Sequence, residues 1–404
     1  MKCGLLGRKL GHSFSPMIHA HLGDYSYELF EREPVELEDF LRNGDWSGIN
    51  VTIPYKKDVI PYLDELSPIA AKLGAVNTII RRDGRLIGHN TDFFGFQEMV
   101  RSSGLNLTGK KVLVLGTGGA SKPVIAALED LGAEVISVSR SGENNYENIH
   151  RHGDAAAIVN ATPVGMYPQT GTAPVDISLF PRLEGVLDIV YNPARTQLLL
   201  DAEARGLVTV NGLLMLVAQA KEASEWFQGK SLDDGLIDLI HTALRRRTEN
   251  IVLIGMPGSG KTTVGKALAE RLDKTFVDAD EELVKMAGKP IPEIFAEDGE
   301  DVFRAWETRV LEGLGKKSGL ILSTGGGCVT RDRNYPLLHQ NGTIFWLKRD
   351  LNKLPTDGRP LSQVTPLTAM YEKRRPLYAA FADAEIDNDG TLEDTLVQIM
   401  EELK

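Results

Sequence analysis

Short apolar runs recur along the chain, and a longer stretch with helical periodicity separates each from the next. Five of these runs are Lys111–Gly116, Glu134–Ser139, Val186–Val190, Ile251–Gly255 and Thr343–Leu347. A strand that is apolar at nearly every position is buried on both faces, which is typical of a parallel sheet covered by helices. The pattern therefore predicts an α/β fold with several layers.

Length and composition agree with several globular domains. The chain has 404 residues, which favours two or three domains, and its 25% charged and 42% hydrophobic residues exclude a disordered protein. The net charge of −11 argues against a nucleic-acid partner, because phosphate neutralisation requires a basic surface. No apolar run approaches the roughly 20 residues that span a bilayer. We therefore expect a cytoplasmic protein with no membrane partner.

The two cysteines and one basic segment give further expectations. Cys3 and Cys328 are too few for a disulfide scaffold, and we expect both to be small buried hydrophobes. In the segment Arg245–Asn250 a helical stretch ends in positive charge, which favours a helix C-terminus, and a new apolar run starts at Ile251. This predicts a linker at residues 246–250, although a surface helix end inside one domain is the alternative.

The first glycine-rich turn, Gly116-Thr-Gly118-Gly119-Ala120-Ser121, follows a predicted strand and precedes a predicted helix. Glycines at such a turn let the main chain approach a pyrophosphate, which then binds the first amides of the helix. The next strand ends at Ser139-Arg140, where an NAD-binding unit would carry an acidic residue for the ribose hydroxyl. An arginine there suits a 2′-phosphate, so the turn and Arg140 together favour NADP(H).

Polar clusters precede and follow this turn. They are His12–Pro16, Asn50–Lys56, Ala75–Thr78, Gly88–Asp92, Asn160–Met166, Asp188–Pro193 and Asn211–Gln219. Each cluster alone is also what a turn or a helix cap requires, because Ser, Thr, Asn and Asp favour such positions. In this order, and combined with the glycine turn, they make residues 1–245 similar to the shikimate dehydrogenase family.

That resemblance implies two domains and a set of site residues. Residues 1–92 and 212–245 would form an α/β substrate-binding and catalytic domain, and residues 93–211 a Rossmann-type NADP domain. Lys56 and Asp92 would be the catalytic pair. The substrate would also contact Ser13, Ser15, Thr52, Asn77, Tyr191 and Gln219. NADP would contact Gly116, Gly118, Gly119, Ala120, Ser139, Arg140, Thr162, Gly212 and Met215.

The reaction implied by the resemblance is reversible hydride transfer between NADPH and the C3 carbonyl of 3-dehydroshikimate. Negative charge grows on the carbonyl oxygen as hydride arrives, so a nearby cation that can also donate a proton is needed, and Lys56 suits this role. Two residues depart from the family pattern. Lys9 stands where the family usually has proline, and Ser139 stands where an asparagine usually precedes the arginine.

The second glycine-rich turn runs from Gly255 to Thr262 and matches the phosphate-binding loop pattern G-x-x-x-x-G-K-[ST] in full. It lies between an apolar run and a helix that we expect to begin near Lys261. Amides of such a loop form an anion nest, its lysine reaches the β- and γ-phosphates, and its threonine binds Mg²⁺. The predicted ATP-binding residues are Gly258, Ser259, Gly260, Lys261, Thr262 and Thr263.

Acidic and basic residues beyond this loop point to a small anionic acceptor. Asp278 and Asp280 end the next predicted strand, and their i, i+2 spacing would place both carboxylates on one face. One would support Mg²⁺, and the other would accept a hydrogen bond or proton from a substrate hydroxyl. Three arginines, Arg304, Arg359 and Arg374, accompany a glycine run, and guanidinium groups bind carboxylates in a bidentate fork. Each arginine alone is equally consistent with a surface ion pair.

Taken in order, these motifs make residues 249–404 similar to shikimate kinase. The resemblance implies a P-loop domain over residues 251–404, with a parallel sheet and helices on both faces. Shikimate would contact Asp280, Arg304, Gly325, Gly326, Gly327 and Arg374, while Mg²⁺ would contact Thr262 and Asp278. Catalysis would rest on Lys261, Asp280 and Arg359, with Arg359 on a lid over the phosphates and Glu307 behind the site. Because the segment Leu347–Gly358 is short for this family, no adenine-contacting residue is assigned.

The product of the first implied reaction is the substrate of the second. The sequence therefore predicts a bifunctional enzyme, a monomer or homodimer, that reduces 3-dehydroshikimate with NADPH and phosphorylates shikimate with ATP and Mg²⁺. One alternative is a quinate-type dehydrogenase fused to another small-molecule kinase, which Arg140 disfavours. Another is a metabolite sensor without turnover, which the presence of Lys56, Asp92, Lys261 and Asp280 disfavours.

Overall fold

The computed structural model describes residues 1–11, 13–354 and 367–403, and its packing divides the chain into two compact units. Unit 1 comprises Met1–Met166, Thr172–Tyr191 and Leu198–Ala243. Unit 2 comprises Tyr167–Gly171, Asn192–Gln197 and the chain from Leu244 onward. The α/β fold class predicted from the apolar runs is confirmed in both units.

The first sheet of unit 1 has six strands in the order β2-β1-β3-β5-β6-β4. Its strands are β1 (Lys2–Gly7), β2 (Ser26–Glu31), β3 (Gly48–Val51), β4 (Glu65–Leu66), β5 (Thr78–Arg82) and β6 (Arg85–His89). The helices among them are α1 (Ser15–His19), α2 (Leu37–Asn43) and α3 (Pro68–Leu73). β1 is parallel to β2 and β3, whereas β5 is antiparallel to β3 and β6. Asp83 and Gly84 both have positive φ, and this Asp-Gly pair forms the tight turn of the β5–β6 hairpin.

The second sheet of unit 1 has five strands, all parallel, in the order β11-β10-β9-β7-β8. Its strands are β7 (Lys111–Leu115), β8 (Glu134–Val138), β9 (Ala157–Asn160), β10 (Gly185–Asp188) and β11 (Val208–Asn211). The accompanying helices are α4 (Asp92–Ser103), α5 (Ser121–Asp130), α6 (Gln197–Ala204) and α7 (Leu213–Gln228). α4 packs along α7, and because α7 also contacts β3 and β5 while α4 contacts α5 and β11, these two helices join the two sheets.

Unit 2 contains a third sheet of five parallel strands in the order β13-β14-β12-β15-β16. Its strands are β12 (Asn250–Ile254), β13 (Thr275–Asp278), β14 (Leu320–Ser323), β15 (Gly342–Lys348) and β16 (Ala384–Asp387). The helices from residue 235 onward are α8 (Gly235–Thr248), α9 (Lys261–Leu272), α10 (Ala279–Ala287), α11 (Ile291–Glu297), α12 (Glu300–Gly315), α13 (Asn334–His339), α14 (Leu367–Phe381) and α15 (Leu392–Glu402). Ile251 and Leu253 face one apolar core and Val252 and Ile254 face another, so the predicted helices on both faces are confirmed.

The predicted linker at residues 246–250 differs from the structure. α8 continues to Thr248 and β12 begins at Asn250, so Glu249 alone lies outside regular structure. The three arginines of this segment belong to the last turn of α8, where positive charge favours the helix instead of ending it early. Cys3 and Cys328 are unpaired and fully buried, as predicted. Within the described part of the chain, no helix is both long and apolar enough to cross a bilayer.

Candidate active sites

A cavity of about 260 Å³ in unit 1 is lined by residues of the first sheet, by residues that follow β10 and β11 of the second sheet, and by α7. All eight predicted substrate contacts line it: Ser13, Ser15, Thr52, Lys56, Asn77, Asp92, Tyr191 and Gln219. Three predicted NADP contacts, Ala120, Gly212 and Met215, line it as well. The wall is completed by six residues outside the predicted set: Leu5, Asn50, Val51, Pro123, Ile189 and Leu216. We call this cavity the unit 1 cleft.

Lys56 and Asp92 form an ion pair in the unit 1 cleft. The Lys56 Nζ donates to Oδ2 of Asp92 at 2.6 Å, and the side chains are 28% and 15% exposed. Lys56 is placed by its neighbour Tyr55, which is fully buried and donates a hydrogen bond to the Arg32 carbonyl. Asp92 is the first residue of α4, where the helix dipole favours a carboxylate. The pair presents a partly shielded ammonium group, held by its carboxylate, to a ligand in the cleft.

A buried network of polar side chains lies behind this pair. Asn77 accepts a hydrogen bond from the Thr91 amide at 2.7 Å, and its own Nδ2 donates to the Thr91 hydroxyl at 3.1 Å. The Thr91 hydroxyl also lies 3.4 Å from Oε1 of Gln219, and Asn50 donates to the Thr78 hydroxyl at 3.1 Å. Because buried polar groups with satisfied hydrogen bonds have few alternative rotamers, the network fixes the amides that face the cleft.

The hydroxyl groups of Ser13 and Ser15 line the same cleft, near the start of α1. The Ser15 amide donates to Oγ of Ser13 at 3.2 Å, which holds the two residues in a compact turn. Between them, the Phe14 ring packs against the Tyr191 ring with centroids 6.0 Å apart. Short neutral donors at this position can hydrogen-bond an anionic group of a ligand without adding a charge to the site.

The first glycine turn leaves room for a pyrophosphate at the start of α5. A Cβ atom added to Gly118 or Gly119 would meet open space, and both residues are exposed. Gly116 has φ of +103°, which side chains rarely adopt, and the Ser121 hydroxyl donates to the Gly118 carbonyl at 2.7 Å. The helix N-terminus and this uncrowded main chain fit the phosphates of NADP.

Other predicted NADP contacts surround this turn. β8 is parallel to β7, so Ser139 and Arg140 at its end lie on the same sheet edge as the glycine turn. Arg140 is exposed, and no ion pair of its guanidinium occurs within the described residues. Thr162 is held by Asn160, whose side-chain oxygen accepts from the Thr162 hydroxyl at 2.7 Å. At Gly212 a Cβ would lie 2.0 Å from the Ile189 carbonyl oxygen, so glycine is required there.

A larger cavity, of about 720 Å³, lies in unit 2 at the P-loop. It brings together the predicted residues Gly258, Gly260, Lys261, Thr262, Thr263, Asp278, Asp280, Arg304, Gly325, Gly326, Gly327 and Arg374. Ser259 does not line it, because this residue is fully buried. Arg359 lies outside the described residues. An apolar wall that the sequence analysis did not assign is formed by Val284, Pro290, Ile291, Pro292, Phe295 and Phe303. We call this cavity the unit 2 cleft.

The P-loop connects β12 to α9 and has the geometry that phosphate binding requires. Gly258 and Gly260 have φ of +84° and +96°. The Lys261 Nζ donates to the carbonyls of Gly255 and Met256 at 3.0 Å each, which holds the ammonium group over the loop. Asn388 donates to the Ser259 carbonyl and ties the loop to the residue after β16. Main-chain amides and one lysine converge here on a position that suits an anion.

Asp278 and Asp280 reach the unit 2 cleft in a different way from the predicted one. α10 begins at Ala279, so Asp280 lies in the first helical turn and not on the strand. Asp278 caps this helix by accepting from the Asp280 amide at 3.0 Å, a role that aspartate favours. Asp278 also accepts from the Thr262 hydroxyl at 3.0 Å, and this carboxylate and hydroxyl oxygen pair suits Mg²⁺. Burial, with a smaller contribution from Asp278, raises the pKa of Asp280.

The residues expected to hold the acceptor lie at the other end of the unit 2 cleft. Arg304 donates to Glu307 at 2.8 Å, and both side chains are buried. Burial raises the pKa of Glu307 to about 7, although the charge of Arg304 opposes this shift. Arg374 donates to the Gly326 carbonyl at 3.2 Å. A Cβ at Gly327 would lie 2.1 Å from the Arg304 guanidinium, so the glycine run leaves room for this arginine.

A pair of side chains beside the P-loop is a candidate site for Mg²⁺. No group of three or more His, Cys, Asp or Glu side chains in the described ranges is arranged to hold a metal ion. Mg²⁺ in proteins often takes one or two carboxylates and completes its shell with water and substrate phosphates. The pair of Thr262 and Asp278 beside the P-loop fits that type of site.

Comparison with known proteins assigns both units to the same area of metabolism. Residues 257–404 match the family model described as shikimate kinase, and residues 5–79 match the one described as shikimate dehydrogenase substrate binding domain. The chain is 37% identical over 266 residues to a shikimate dehydrogenase (NADP(+)) of Clostridium perfringens strain 13. This match covers 60% of the chain and 98% of the relative.

Solved structures of dehydrogenases are also similar to this chain. Shikimate 5-dehydrogenase from Thermus thermophilus in complex with NADP(H) and shikimate is 32% identical, with a TM-score of 0.55, and the match covers 60% of this chain and 99% of that one. Quinate dehydrogenase from Corynebacterium glutamicum in complex with NAD is 29% identical, with a TM-score of 0.55, over 60% and 98% of the two chains.

Proposed function

Because the chain belongs to the shikimate dehydrogenase family and carries a shikimate kinase domain after it, we propose that the unit 1 cleft reduces 3-dehydroshikimate and the unit 2 cleft phosphorylates the product. The chain is a bifunctional shikimate-pathway enzyme that uses NADP(H), ATP and Mg²⁺. The observation that carries the assignment of residues is the ion pair of Lys56 and Asp92. Its Nζ and Oδ2 atoms are 2.6 Å apart, and both side chains line the cleft.

In the unit 1 cleft, Lys56 stabilises the developing charge on the C3 oxygen and donates the proton that completes the alcohol. NADPH supplies the hydride when it is bound at the glycine turn. The carboxylate of Asp92 orients the ammonium group through its short hydrogen bond and leaves the other N–H groups of Lys56 for a ligand in the cleft. In the reverse reaction Lys56 accepts the hydroxyl proton. A positioned acid of this kind contributes roughly 10²–10⁴-fold to rate.

The remaining side chains of the unit 1 cleft orient the substrate ring. The hydroxyl groups of Ser13 and Ser15 hydrogen-bond the substrate carboxylate, and the amides of Asn77 and Gln219 bind its hydroxyls. The network through Thr91 supports this role, because it fixes both amides from behind. Arg140 at the end of β8 binds the 2′-phosphate of NADP, which favours NADP over NAD and shikimate over the quinate alternative.

In the unit 2 cleft, the acceptor hydroxyl is activated and the transferred group is held by charge. ATP supplies the phosphoryl group when it is bound at the P-loop, with Thr262 and Asp278 as the protein's Mg²⁺ ligands. The carboxylate of Asp280 accepts the proton of the substrate 3-hydroxyl, and Lys261 neutralises charge on the phosphates. Arg304 and Arg374 bind the substrate carboxylate. Phosphoryl transfer depends mainly on such positioning and charge stabilisation.

Two matched pairs of variants test these assignments in two assays, NADPH oxidation with 3-dehydroshikimate and phosphorylation of added shikimate with ATP and Mg²⁺. Lys56→Met should lower NADPH oxidation by roughly 10²–10⁴-fold and leave phosphorylation of added shikimate within about twofold. Lys261→Met should have the opposite effect, at a similar magnitude. The exposed neighbours Lys57 and Lys266 provide the controls Lys57→Met and Lys266→Met, which should keep both activities. Loss of both activities in a folded Lys56→Met or Lys261→Met variant would contradict the assignment.

The proposal also includes where and in what form the enzyme acts. We place it in the cytoplasm, where NADPH and ATP are both regenerated. A monomer or a homodimer is the predicted assembly, and sedimentation of the purified protein decides between them.

A further inference from the structure

Unit 2 contains a second cavity, of about 630 Å³, that none of the motifs accounts for. It lies where strands of the third sheet begin, because Ile251 of β12, Thr275 of β13 and Gly319 before β14 line it. The P-loop follows the other end of β12, so this cavity is separate from the unit 2 cleft. We call it the lower cavity. Small-molecule sites in proteins are typically concave, mostly apolar and roughly 300–1,000 Å³ in volume.

The walls of the lower cavity combine apolar side chains with charged ones. Ile251, Leu272, Met400 and Leu403 supply the apolar part. The charged groups that face it are Arg246 and Arg247 from the end of α8, Glu249, and Asp273 and Lys274 from the turn after α9. The Glu249 carboxylate already accepts a hydrogen bond from the Thr343 hydroxyl at 2.5 Å. Three cationic side chains and two carboxylates therefore line the cavity, and one of these carboxylates is hydrogen-bonded to Thr343.

Lys274 lacks an anionic partner within the described residues. Its Nζ donates to the main-chain carbonyls of Glu249 and Arg247 at 2.6 and 3.2 Å, which leaves one of its three N–H groups without an acceptor among the described residues. No carboxylate in the described ranges lies within ion-pair distance of this ammonium group. Burial lowers the pKa of Lys274 to about 8, against the opposing effect of Glu249. An anion bound beside Nζ would offset this desolvation.

We propose that the lower cavity binds a small carboxylate with an apolar body, whose carboxylate pairs with Lys274 and whose apolar part packs against Ile251, Leu272 and Met400. An inorganic anion would leave this apolar surface uncovered, and a neutral apolar molecule would leave the ammonium group unpaired. The site therefore selects for both features in one ligand. It is separate from the sites of the two reactions proposed above, since it shares no residue with either cleft.

Benzoate is a suitable probe, measured by calorimetry on the full-length protein with saturating shikimate present to occupy the carboxylate sites of both clefts. We expect saturable binding at millimolar concentrations or below, and binding of benzyl alcohol and of inorganic phosphate at least about tenfold weaker. Lys274→Met should weaken benzoate binding about tenfold or more. Lys285→Met, which removes an exposed lysine of α10, is the matched control and should leave it unchanged.

A conservative variant separates recognition from folding. Lys274→Arg keeps the charge, so it should retain benzoate binding within about threefold. Arginine does not titrate in this range, so the affinity of this variant for benzoate should stay constant from pH 7 to 9. The unmodified protein should lose affinity over the same range as the Lys274 ammonium group deprotonates. The proposal is wrong if benzoate shows no saturable binding up to about 10 mM, or if a folded Lys274→Met variant binds it as well as the unmodified protein. Equal binding of phosphate would also refute it.

Discussion

Glu222 on α7 is a half-buried acid whose ionisation opposes folding. It lies one helical turn beyond Gln219, and its Oε2 is buried without a hydrogen-bond partner among the described residues. Burial raises the pKa of Glu222 from an ordinary 4.5 to about 8, and the negative charges of Glu225 and Asp92 add to the shift. A hydrogen bond from Trp226 opposes it without reversing it. At neutral pH the native protein therefore keeps a proton that the unfolded chain has released.

The sign and size of the resulting pH dependence follow from proton linkage. Between pH 4.5 and 8 the native state binds one proton more than the unfolded state, so the free energy of unfolding falls as pH rises. The slope is about 1.4 kcal/mol per pH unit, which gives a loss of about 3 kcal/mol between pH 5.5 and 7.5. Glu222→Gln removes this contribution. The stability difference between variant and unmodified protein should therefore grow by that amount over this range and level off above about pH 8.

Urea-dependent hydrogen exchange of peptides from α7 measures this difference, because it reports on unit 1 separately from unit 2. Comparing the change with pH, and not the stability at one pH, cancels any constant effect of placing an amide at this position. Glu129→Gln, on an exposed acid of α5, is the control and should show no such change with pH. A stability difference for Glu222→Gln that stays constant from pH 5.5 to 7.5 would refute the reasoning.

Two further substitutions test the ligand assignments. Arg140→Ala should raise the KM for NADPH about 10–100-fold with little effect on the KM for NADH, because it removes a charged hydrogen-bond donor from the 2′-phosphate. Steady-state kinetics with both nucleotides measure the two KM values. Equal effects on both would contradict the role of Arg140. Gly327→Ala should raise the KM for shikimate in the kinase reaction and leave NADPH oxidation unchanged, since the new Cβ would lie 2.1 Å from the Arg304 guanidinium. An unaltered kinase KM would show that Arg304 does not hold the substrate.

Much of the fold is predictable from local sequence. Five of the ten strands in the second and third sheets, namely β7, β8, β10, β12 and β15, begin and end within two residues of the apolar runs. A strand buried on both faces cannot tolerate charge inside it, so such strands can be read from local sequence. The mixed pairing of the first sheet is not visible in these runs. The Asp83-Gly84 pair, a strong hairpin signal, was available in the sequence and indicates the antiparallel β5–β6 pairing.

The residues of the candidate sites likewise differ in how far the sequence predicts them. Residues within one motif, such as Lys261 and Thr262, are predictable because the loop itself positions them. Asp280 lies where expected in space, but a helix carries it, since Asp278 ends the strand by capping α10. Asn50 is a polar residue in an otherwise apolar strand, and this contrast could have marked it as part of the unit 1 cleft. The role of Lys274 could not be predicted from the sequence, because the cavity around it is assembled from separate segments.

Helix α9 begins at Lys261 of the P-loop and ends at Leu272 on the wall of the lower cavity. Its 12 residues span about 18 Å as one rigid rod. A ligand that displaced Leu272 would tilt or shift this helix and move Lys261 at its N-terminus. Occupancy of the lower cavity would then change the affinity of the P-loop for ATP, although the two sites share no residue and no lid moves.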